Sequence, residues 1–456
     1  MDKFSKSRYF VRLMPGFVFL AAPMAAYAEE LKPVALTATQ STLAASAQEL
    51  GATSLRTFAA PDGGFILAGK LDGDQFSVAF PAKWNRGTLL YVHGYSTPGT
   101  PVDVPVDPLA KGTGANGVLA EAYRDGYAAG HSAYDKAGMG VQTATENTLR
   151  LRDFLSKLGA KRFLVAGTSM GGNITLSLIE QNPKAFAGAM SSCGVTDGWE
   201  TLFGQLIDMR AAYNLLTEGT PYALPGEHDL TRSALPMEPP EGEAATSEAF
   251  RWGRIAQMAT PVLALAQAAG DNPEGREALI LKQIASIGGF EPEPASIAFP
   301  LVTVTLGMDD LNRTLGGSIY GNVGKVYTSS EMNAEEAAAF NAKVQRLEAD
   351  PSAVAKARQW HQATGRFRVP LVTIHNRIDS LVPYAQSEAL GRIVKAAGNG
   401  KRLVQYTVPG TKAPLPVGGV EGYTHCGFSP EQSAATWEAL RTWVETGKRP
   451  PADAVR

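Results

Sequence analysis

Short, mainly apolar runs alternate with segments of helical periodicity along two parts of the chain. The apolar runs cover residues 88–92, 162–166, 186–190, 370–374 and 403–408. The continuous run 88–92 is typical of a strand that is buried on both faces, as in parallel sheets. The runs therefore predict the strands of one largely buried sheet.

Predicted helices follow most of these runs. They cover residues 147–158, the segment after residue 170 up to Pro183, residues 384–397 and residues 430–447. Strands that alternate with helices are typical of a mostly parallel sheet with helices on both faces. The pattern therefore predicts an α/β fold.

Strand signals nearly vanish between residues 197 and 365. Helices are predicted there instead, over residues 202–216, 250–268, 274–287, 333–347 and 351–363. Joints rich in proline and glycine separate them. We therefore expect a helical insertion over 197–366 between two parts of the core, which cover 29–196 and 367–456.

The first 28 residues have the pattern of an export signal. A basic start and an apolar stretch precede Ala26-Tyr27-Ala28, whose small first and third residues predict cleavage after Ala28. The stretch is interrupted by prolines and is shorter than the roughly 20 apolar residues of a membrane span. We therefore predict a periplasmic or secreted protein without stable membrane insertion, with an uncleaved anchor as the alternative.

The composition excludes several classes of protein. The 456 residues include 42 Lys and Arg and 44 Asp and Glu, a formal charge of −2 that lacks the basic excess of a nucleic-acid-binding protein. The 44% of hydrophobic residues and 19% of charged residues argue against global disorder and against a polytopic membrane protein. The sequence contains no H-E-x-x-H motif and no lysine of a phosphate-binding loop, so neither a metal nor a nucleotide cofactor is expected.

One glycine-rich turn carries candidate chemistry. The predicted strand 162–166 leads directly into a G-x-S-x-G motif at residues 167–171, and a helix is predicted to follow. Glycines at both ends suit a tight turn that exposes the Ser169 hydroxyl above the sheet. The helix N-terminus and the amide of Met170 are suited to stabilise an oxyanion there. A structural turn with an incidental serine is the alternative.

A serine hydroxyl is a poor nucleophile until a base accepts its proton, so a histidine and an acid should follow in the chain. His425 is the preferred base because it lies in the glycine-rich loop 422–427 after the last predicted strand. The other histidines lie in strand turns, beside strands or in the insertion, where structural roles are more common: His93, His131, His228, His361 and His375.

Two aspartates compete for the position of the acid. Asp379 comes immediately after the strand 370–374, in a D-x-x-V-P turn that leads to a helix. Asp197 comes after the preceding strand. We favour Asp379, because its turn presents the carboxylate at the same end of the sheet as Ser169.

The order Ser169, Asp379 and His425, each at the end of a predicted strand, resembles the α/β-hydrolase superfamily. The resemblance implies an α/β-hydrolase fold in which the insertion is a helical cap before the strand that carries the acid. It also implies a serine hydrolase that acts through an acyl-enzyme, without a cofactor.

The same resemblance implies a second oxyanion donor. The turn 93–96 would supply the amide of Tyr95, beside the amide of Met170. A Tyr and Met pair at these positions is similar to bacterial cutinases and aromatic polyester hydrolases. Those enzymes usually carry Trp or His where this chain has Thr168, and they lack the long insertion.

Two cysteines, Cys193 and Cys426, lie far apart in the chain. In an oxidising compartment a pair is more often bridged than free, and two unrelated buried thiols are the alternative. Cys426 beside His425 is similar to the tannase and feruloyl esterase group, in which a disulfide joins the neighbour of the nucleophile to the neighbour of the histidine. Because Thr168 occupies the first of these positions, the resemblance implies that Cys193 on the adjacent strand takes its place.

The insertion offers one candidate lining for a substrate pocket. Its glycine-rich loop 316–327 carries Tyr320 and Asn322, and such loops suit an adaptable polar and aromatic surface. We therefore predict that Tyr320 and Asn322 contact the substrate.

Three functions are consistent with this sequence. Hydrolysis of a small-molecule carboxylic ester is the leading prediction. A secreted peptidase or aminopeptidase on the same fold is an alternative, with Glu331, Glu335 and Glu336 as an anionic clamp. A binding protein without catalytic activity is the third. The oligomeric state is left open.

Overall fold

The computed structural model describes residues 31–96, 98, 102–110, 115–237, 247–291, 294–413 and 421–456. The predicted export signal at residues 1–28 lies outside this part of the chain. None of the helices in the described ranges is both long enough and apolar enough to cross a membrane.

A nine-stranded sheet forms the centre of the described structure. The strands are β1 (Thr53–Ala59), β2 (Phe65–Leu71), β3 (Asp74–Phe80), β4 (Gly87–Val92), β5 (Ala128–Ser132), β6 (Arg162–Thr168), β7 (Gly188–Ser192), β8 (Leu371–Asn376) and β9 (Leu403–Val408). Their order across the sheet is β1-β2-β3-β5-β4-β6-β7-β8-β9. Strands β5, β4, β6, β7, β8 and β9 are parallel, so their carboxyl ends meet at one edge. The predicted, mostly parallel sheet is thereby confirmed.

The remaining strands form an antiparallel part that the apolar runs did not predict. β2 and β3 are joined by a two-residue turn at Asp72 and Gly73, both with positive φ, of 52° and 94°. An Asp-Gly pair between apolar segments is a strong hairpin signal, and it was present in the sequence. β5 was not predicted because its residues, Ala-Ala-Gly-His-Ser, include no large apolar side chain.

Helices cover both faces of the sheet. They are α1 (Ala38–Glu49), α2 (Val118–Arg124), α3 (Val141–Lys157), α4 (Met170–Gln181), α5 (Trp199–Leu216), α6 (Ser247–Asp271), α7 (Arg276–Gly288), α8 (Ala298–Leu315), α9 (Ala334–Lys343), α10 (Pro351–His361), α11 (Ala385–Ala396) and α12 (Pro430–Thr446). Successive residues of β4 face opposite clusters: Leu90 packs with α3 and α4, and Leu89 with α2 and α12. The alternation places one hydrophobic layer on each side of the sheet.

Six helices, α5 to α10, lie between β7 and β8. Sequence analysis predicted five helices in this insertion and missed α8. The missed helix contains the run Val302-Thr303-Val304-Thr305, and β-branched residues have low helix propensity. Half of its residues are buried, and its charged residues are confined to its C-terminal half, so the polar face by which an amphipathic helix is detected is short.

Four histidines of the described structure have little or no access to solvent: His131, His361 and His375 are buried, and His93 is half-buried. Burial lowers the pKa of His93, His131 and His361 to about 4 and also lowers that of His375, because an apolar environment disfavours the charged imidazolium. In the unfolded chain their pKa values lie near 6.5. Between pH 6.5 and 4 the unfolded state therefore binds more protons than the folded state.

We expect the free energy of unfolding to decrease as the pH falls from 7 to 4. Each buried histidine contributes at most about 1.4 kcal/mol per pH unit over this range. Urea unfolding at pH 7 and pH 5 measures the change. The variant His131→Gln should have a weaker pH dependence, whereas His228→Gln, at an exposed position, should behave as the native chain. A pH dependence that is equal in all three proteins would contradict this origin.

Candidate active site

A strained turn carries Ser169 between β6 and α4. Its φ and ψ are 59° and −122°, which a non-glycine residue adopts only where the surroundings enforce it. The flanking glycines permit the turn: a Cβ at Gly171 would overlap the carbonyl oxygen of Val92, and one at Gly167 would overlap the Gly171 carbonyl oxygen. The turn holds the Ser169 side chain at the carboxyl edge of the sheet, as in a nucleophile elbow.

The side chains of Ser169, His425 and Asp379 form a continuous hydrogen-bonded series. His425 Nε2 lies 2.9 Å from Ser169 Oγ, and His425 Nδ1 lies 2.7 Å from Asp379 Oδ1. Because an ionised carboxylate can only accept, Nδ1 carries the proton, and Nε2 accepts the hydrogen bond from the Ser169 hydroxyl. The structure therefore brings together the three residues that sequence analysis selected.

Backbone amides hold the carboxylate of Asp379 in place. Asp379 Oδ1 accepts hydrogen bonds of 2.9 Å from the amides of Leu381 and Val382, and Oδ2 accepts one of 2.9 Å from the amide of Cys426. The side chain is 0% exposed, against 15% for His425. The orientation of the imidazole is thus fixed from beneath.

Burial by itself would raise the pKa of Asp379. The charge of His425 and the hydrogen bond from its ring outweigh burial, helped by His375 and the Cys426 amide, and lower this pKa to about 2. Asp379 is therefore ionised at neutral pH and can stabilise a positive charge on His425.

The rival acid, Asp197, interacts with α11. Its amide donates a 2.7 Å hydrogen bond to Gln386 Oε1, and its carboxylate lies in the field of Arg392. Burial raises the pKa of Asp197 despite the arginine. The carboxylate that contacts His425 is that of Asp379.

The loop 93–96 passes beside Ser169. A Cβ at Gly94 would lie 3.2 Å from the Ser169 Cβ, so the backbone that leads to Tyr95 approaches Ser169 closely. Tyr134 fixes this loop: its hydroxyl donates a 2.8 Å hydrogen bond to the His93 carbonyl, and its ring stacks on His93 with centroids 3.7 Å apart. Sequence analysis did not identify Tyr134, because it follows the unpredicted strand β5.

The amide of Met170 is the first of α4 and has no acceptor within the helix. The helix dipole adds a partial positive charge at this end. An anionic oxygen beside Ser169 would therefore find a favourable environment.

A disulfide joins Cys193 and Cys426, confirming the predicted pairing. The two Cα atoms lie 5.5 Å apart, and the cysteines are 233 residues apart in the sequence. Cys193 directly follows β7, and Cys426 directly follows His425. The bridge therefore ties the loop 422–427, here called the histidine loop, to the carboxyl edge of the sheet.

The predicted substrate contacts, Tyr320 and Asn322, are buried inside the insertion. The hydroxyls of Tyr320 and Tyr327 both bond to Asp208 Oδ1, at 2.7 and 2.6 Å, and Lys325 pairs with the other oxygen of Asp208. Asn322 donates 2.9 Å hydrogen bonds to the Tyr327 hydroxyl and to a backbone carbonyl. These polar groups satisfy one another, so the contacts favour a structural role and give no support to substrate binding.

Among the described residues, one group of side chains of the kinds that can ligate a metal ion is found, and it lies at this site. It comprises Cys193, Asp379, His425 and Cys426, whose donor atoms lie within 4.8 Å of one another. Thiolates are the cysteine form that binds metals, and both sulfurs here are in a disulfide. The geometry therefore suits the hydrogen-bonded series rather than a metal.

The sheet order, the strained turn at Ser169 and the chain order of serine, aspartate and histidine define an α/β-hydrolase fold. No protein-family model and no curated protein matches the chain. Among solved structures, feruloyl esterase B from Aspergillus oryzae is 12% identical over 90% of this chain and 91% of its own, with a TM-score of 0.44. An esterase from the same organism is 13% identical over 85% and 81%, with a TM-score of 0.43. The rice cell wall degrading esterase from Xanthomonas oryzae is 13% identical over 81% and 87%, with a TM-score of 0.35.

We expect the double variant Cys193→Ser/Cys426→Ser to free the histidine loop. Misplacement of His425 should slow the reaction of Ser169 with diisopropyl fluorophosphate by about tenfold to a hundredfold. Loss of a cross-link over so long a loop should also lower the melting temperature. Reductant should slow the labelling of Ser169 in the native protein and leave the labelling rate of the double variant unchanged. Equal labelling rates for all these samples would show that the bridge does not position His425.

We expect Tyr320→Phe to lower stability without altering reactivity at Ser169. The change removes one hydrogen bond to the buried Asp208, at a cost of about 1–3 kcal/mol. Thermal unfolding and the rate at which diisopropyl fluorophosphate phosphorylates Ser169 measure the two effects. Tyr222→Phe is the control, since among the described residues the Tyr222 hydroxyl makes no hydrogen bond. A changed profile across substrates with unchanged stability would restore the substrate-binding role.

Proposed function

We propose that the protein is a serine hydrolase that cleaves carboxylic esters through an acyl-enzyme intermediate. The observation that carries the proposal is the hydrogen-bonded series from Asp379 through His425 to Ser169. The strained turn adds support, because it is a costly conformation that holds the serine oxygen at the head of a helix.

In the acylation step, Ser169 Oγ attacks the acyl carbon of the ester while His425 Nε2 takes the hydroxyl proton. The carbonyl oxygen becomes an oxyanion, which accepts hydrogen bonds from the amides of Tyr95 and Met170. The bond to the alcohol oxygen then breaks, and His425 donates the proton to that oxygen. Alcohol leaves, and the acyl group remains bonded to Ser169.

In the deacylation step, water takes the place of the alcohol. His425 removes a proton from the water, whose oxygen attacks the acyl carbon. The bond to Ser169 Oγ breaks, and His425 returns the proton to the serine. Throughout, Asp379 is ionised and stabilises the imidazolium.

We also propose that the insertion, residues 197–366, acts as a cap over the core formed by 29–196 and 367–456. We further propose that residues 1–28 direct export of the protein to the periplasm or the exterior. The disulfide is compatible with an oxidising compartment. The substrate is a small-molecule ester.

Peptide hydrolysis is less well supported. The candidate clamp lies at the start of α9, where the Glu336 carboxylate accepts a 2.9 Å hydrogen bond from the Asn333 amide. Asn333 in turn accepts from the amides of Glu335 and Glu336, which completes a capping box. The helix start therefore accounts for the carboxylate of Glu336 without a peptide ligand.

Ser169→Ala should abolish the hydrolysis of esters, with a loss of about 10⁴-fold to 10⁶-fold in kcat. The assay compares matched esters and anilides of graded acyl size, with Ser156→Ala, on the exposed face of α3, as the control. Faster turnover of anilides than of esters would favour the peptidase. Equal rates for Ser169→Ala and the native protein on every substrate would favour a binding protein.

A further inference from the structure

One face of α8 is only half-buried, although half of the residues of the helix are buried. Five of the eight half-buried residues are spaced by three or four positions and therefore share one side of the helix. They are Phe299, Thr303, Gly307, Asp310 and Thr314, here called the α8 stripe.

The α8 stripe faces the loops that surround Ser169. At one end, the Phe299 ring lies 6.4 Å from the His425 ring, centroid to centroid, with a tilt of 37°. Further along, a Cβ at Gly307 would lie 3.7 Å from the Tyr95 hydroxyl. The helix therefore extends from the histidine loop to the loop of the second oxyanion donor.

Two polar contacts fix the far end of the stripe to the loop after β5. Asp310 Oδ2 accepts a 3.0 Å hydrogen bond from the Met139 amide. Thr314 Oγ1 accepts a 2.8 Å hydrogen bond from Lys136 Nζ. This attachment sets the distance between α8 and the sheet edge.

A third polar contact fixes the near end. Immediately before α8, the Ser296 hydroxyl oxygen accepts a 3.0 Å hydrogen bond from the Tyr423 amide of the histidine loop. Phe299 is therefore presented to His425 by a helix that is fixed at both ends. Its ring belongs to neither of the two hydrophobic clusters of the described structure.

The centre of the stripe carries a hydroxyl group. From Phe299 to Gly307 the helix rises by about 12 Å, with Thr303 midway. Thr303 is half-buried, and its hydroxyl has no hydrogen-bond partner among the described residues. This hydroxyl therefore lies between the end of the stripe beside His425 and the part beside Tyr95.

The direction of the proposed reaction assigns a role to each end of the stripe. Since His425 protonates the departing oxygen, the alcohol lies on the histidine side of the scissile bond. The carbonyl oxygen points toward the Tyr95 and Met170 amides on the other side. The Phe299 ring, beside the imidazole, is therefore next to the leaving group.

We propose that the α8 stripe forms the wall of the substrate cleft and that Phe299 contacts the leaving alcohol. This inference rests on the proposed ester hydrolysis and makes it more specific. The stripe carries no cation, and its one carboxylate is hydrogen-bonded to Met139. The leaving group that fits is an uncharged alcohol with an apolar or aromatic body, whose face packs against the phenyl ring.

The test uses esters of one acid, so that every substrate yields the same acyl-enzyme. For phenyl, benzyl and ethyl acetate, kcat/KM is compared in the native protein, Phe299→Ala and Phe299→Leu. We expect Phe299→Ala to lower kcat/KM by about tenfold to a hundredfold for the two aromatic alcohols and by less than about twofold for ethanol. Phe299→Leu, which keeps an apolar side chain, should be intermediate. The deacylation rate should not change, because the alcohol has left.

Phe250→Ala is the matched control, since Phe250 is a half-buried aromatic residue of α6 that contacts Arg254. An equal loss for all three alcohols would overturn the inference, because it would mean that Phe299 only positions His425. Unchanged kinetics would overturn it too. Labelling of Ser169 by diisopropyl fluorophosphate is measured in each sample. Its absence in the native protein would overturn the proposed hydrolysis itself, and this inference with it.

Discussion

The buried carboxylate of Asp379 is the group on which the geometry of the site depends. An ionised carboxylate without solvent is stable only when its lone pairs are occupied, and here three backbone amides and one imidazole occupy them. Two amides come from its own turn and one from Cys426. The hydrogen bonds that this buried carboxylate needs therefore hold the loop after β8 and the histidine loop together.

Three of the eight non-glycine residues with positive φ in the described structure lie at the same edge of the sheet. Ser169, Cys193 and Cys426 all have positive φ, at 59°, 43° and 56°. Each is held by a strong local constraint: close contacts of the glycine backbone at Ser169, and the disulfide at the two cysteines. The rigid, fully buried strands beneath supply the support that such conformations need.

The sequence predicted those parts of the molecule whose pattern is local. β4 is a nearly continuous apolar run, β6 and β9 are mainly apolar, and Ser169, Asp379 and His425 each follow a strand end. β5 and α8 were missed because small and β-branched residues give no clear period. The role of Tyr320 could not be read from its loop, because its partner, Asp208, is 112 residues away. A glycine-rich loop with aromatic residues suits a buried network as well as a ligand surface.

The attachment of α8 at both ends limits how the insertion can move. A hinged rotation of the insertion would have to break the contact of Ser296 with the histidine loop and those of Asp310 and Thr314 with the loop after β5. Because Tyr423 lies two residues before His425, such a rotation would also pull on the loop that carries the imidazole. Movement of the insertion and the position of His425 are therefore mechanically coupled.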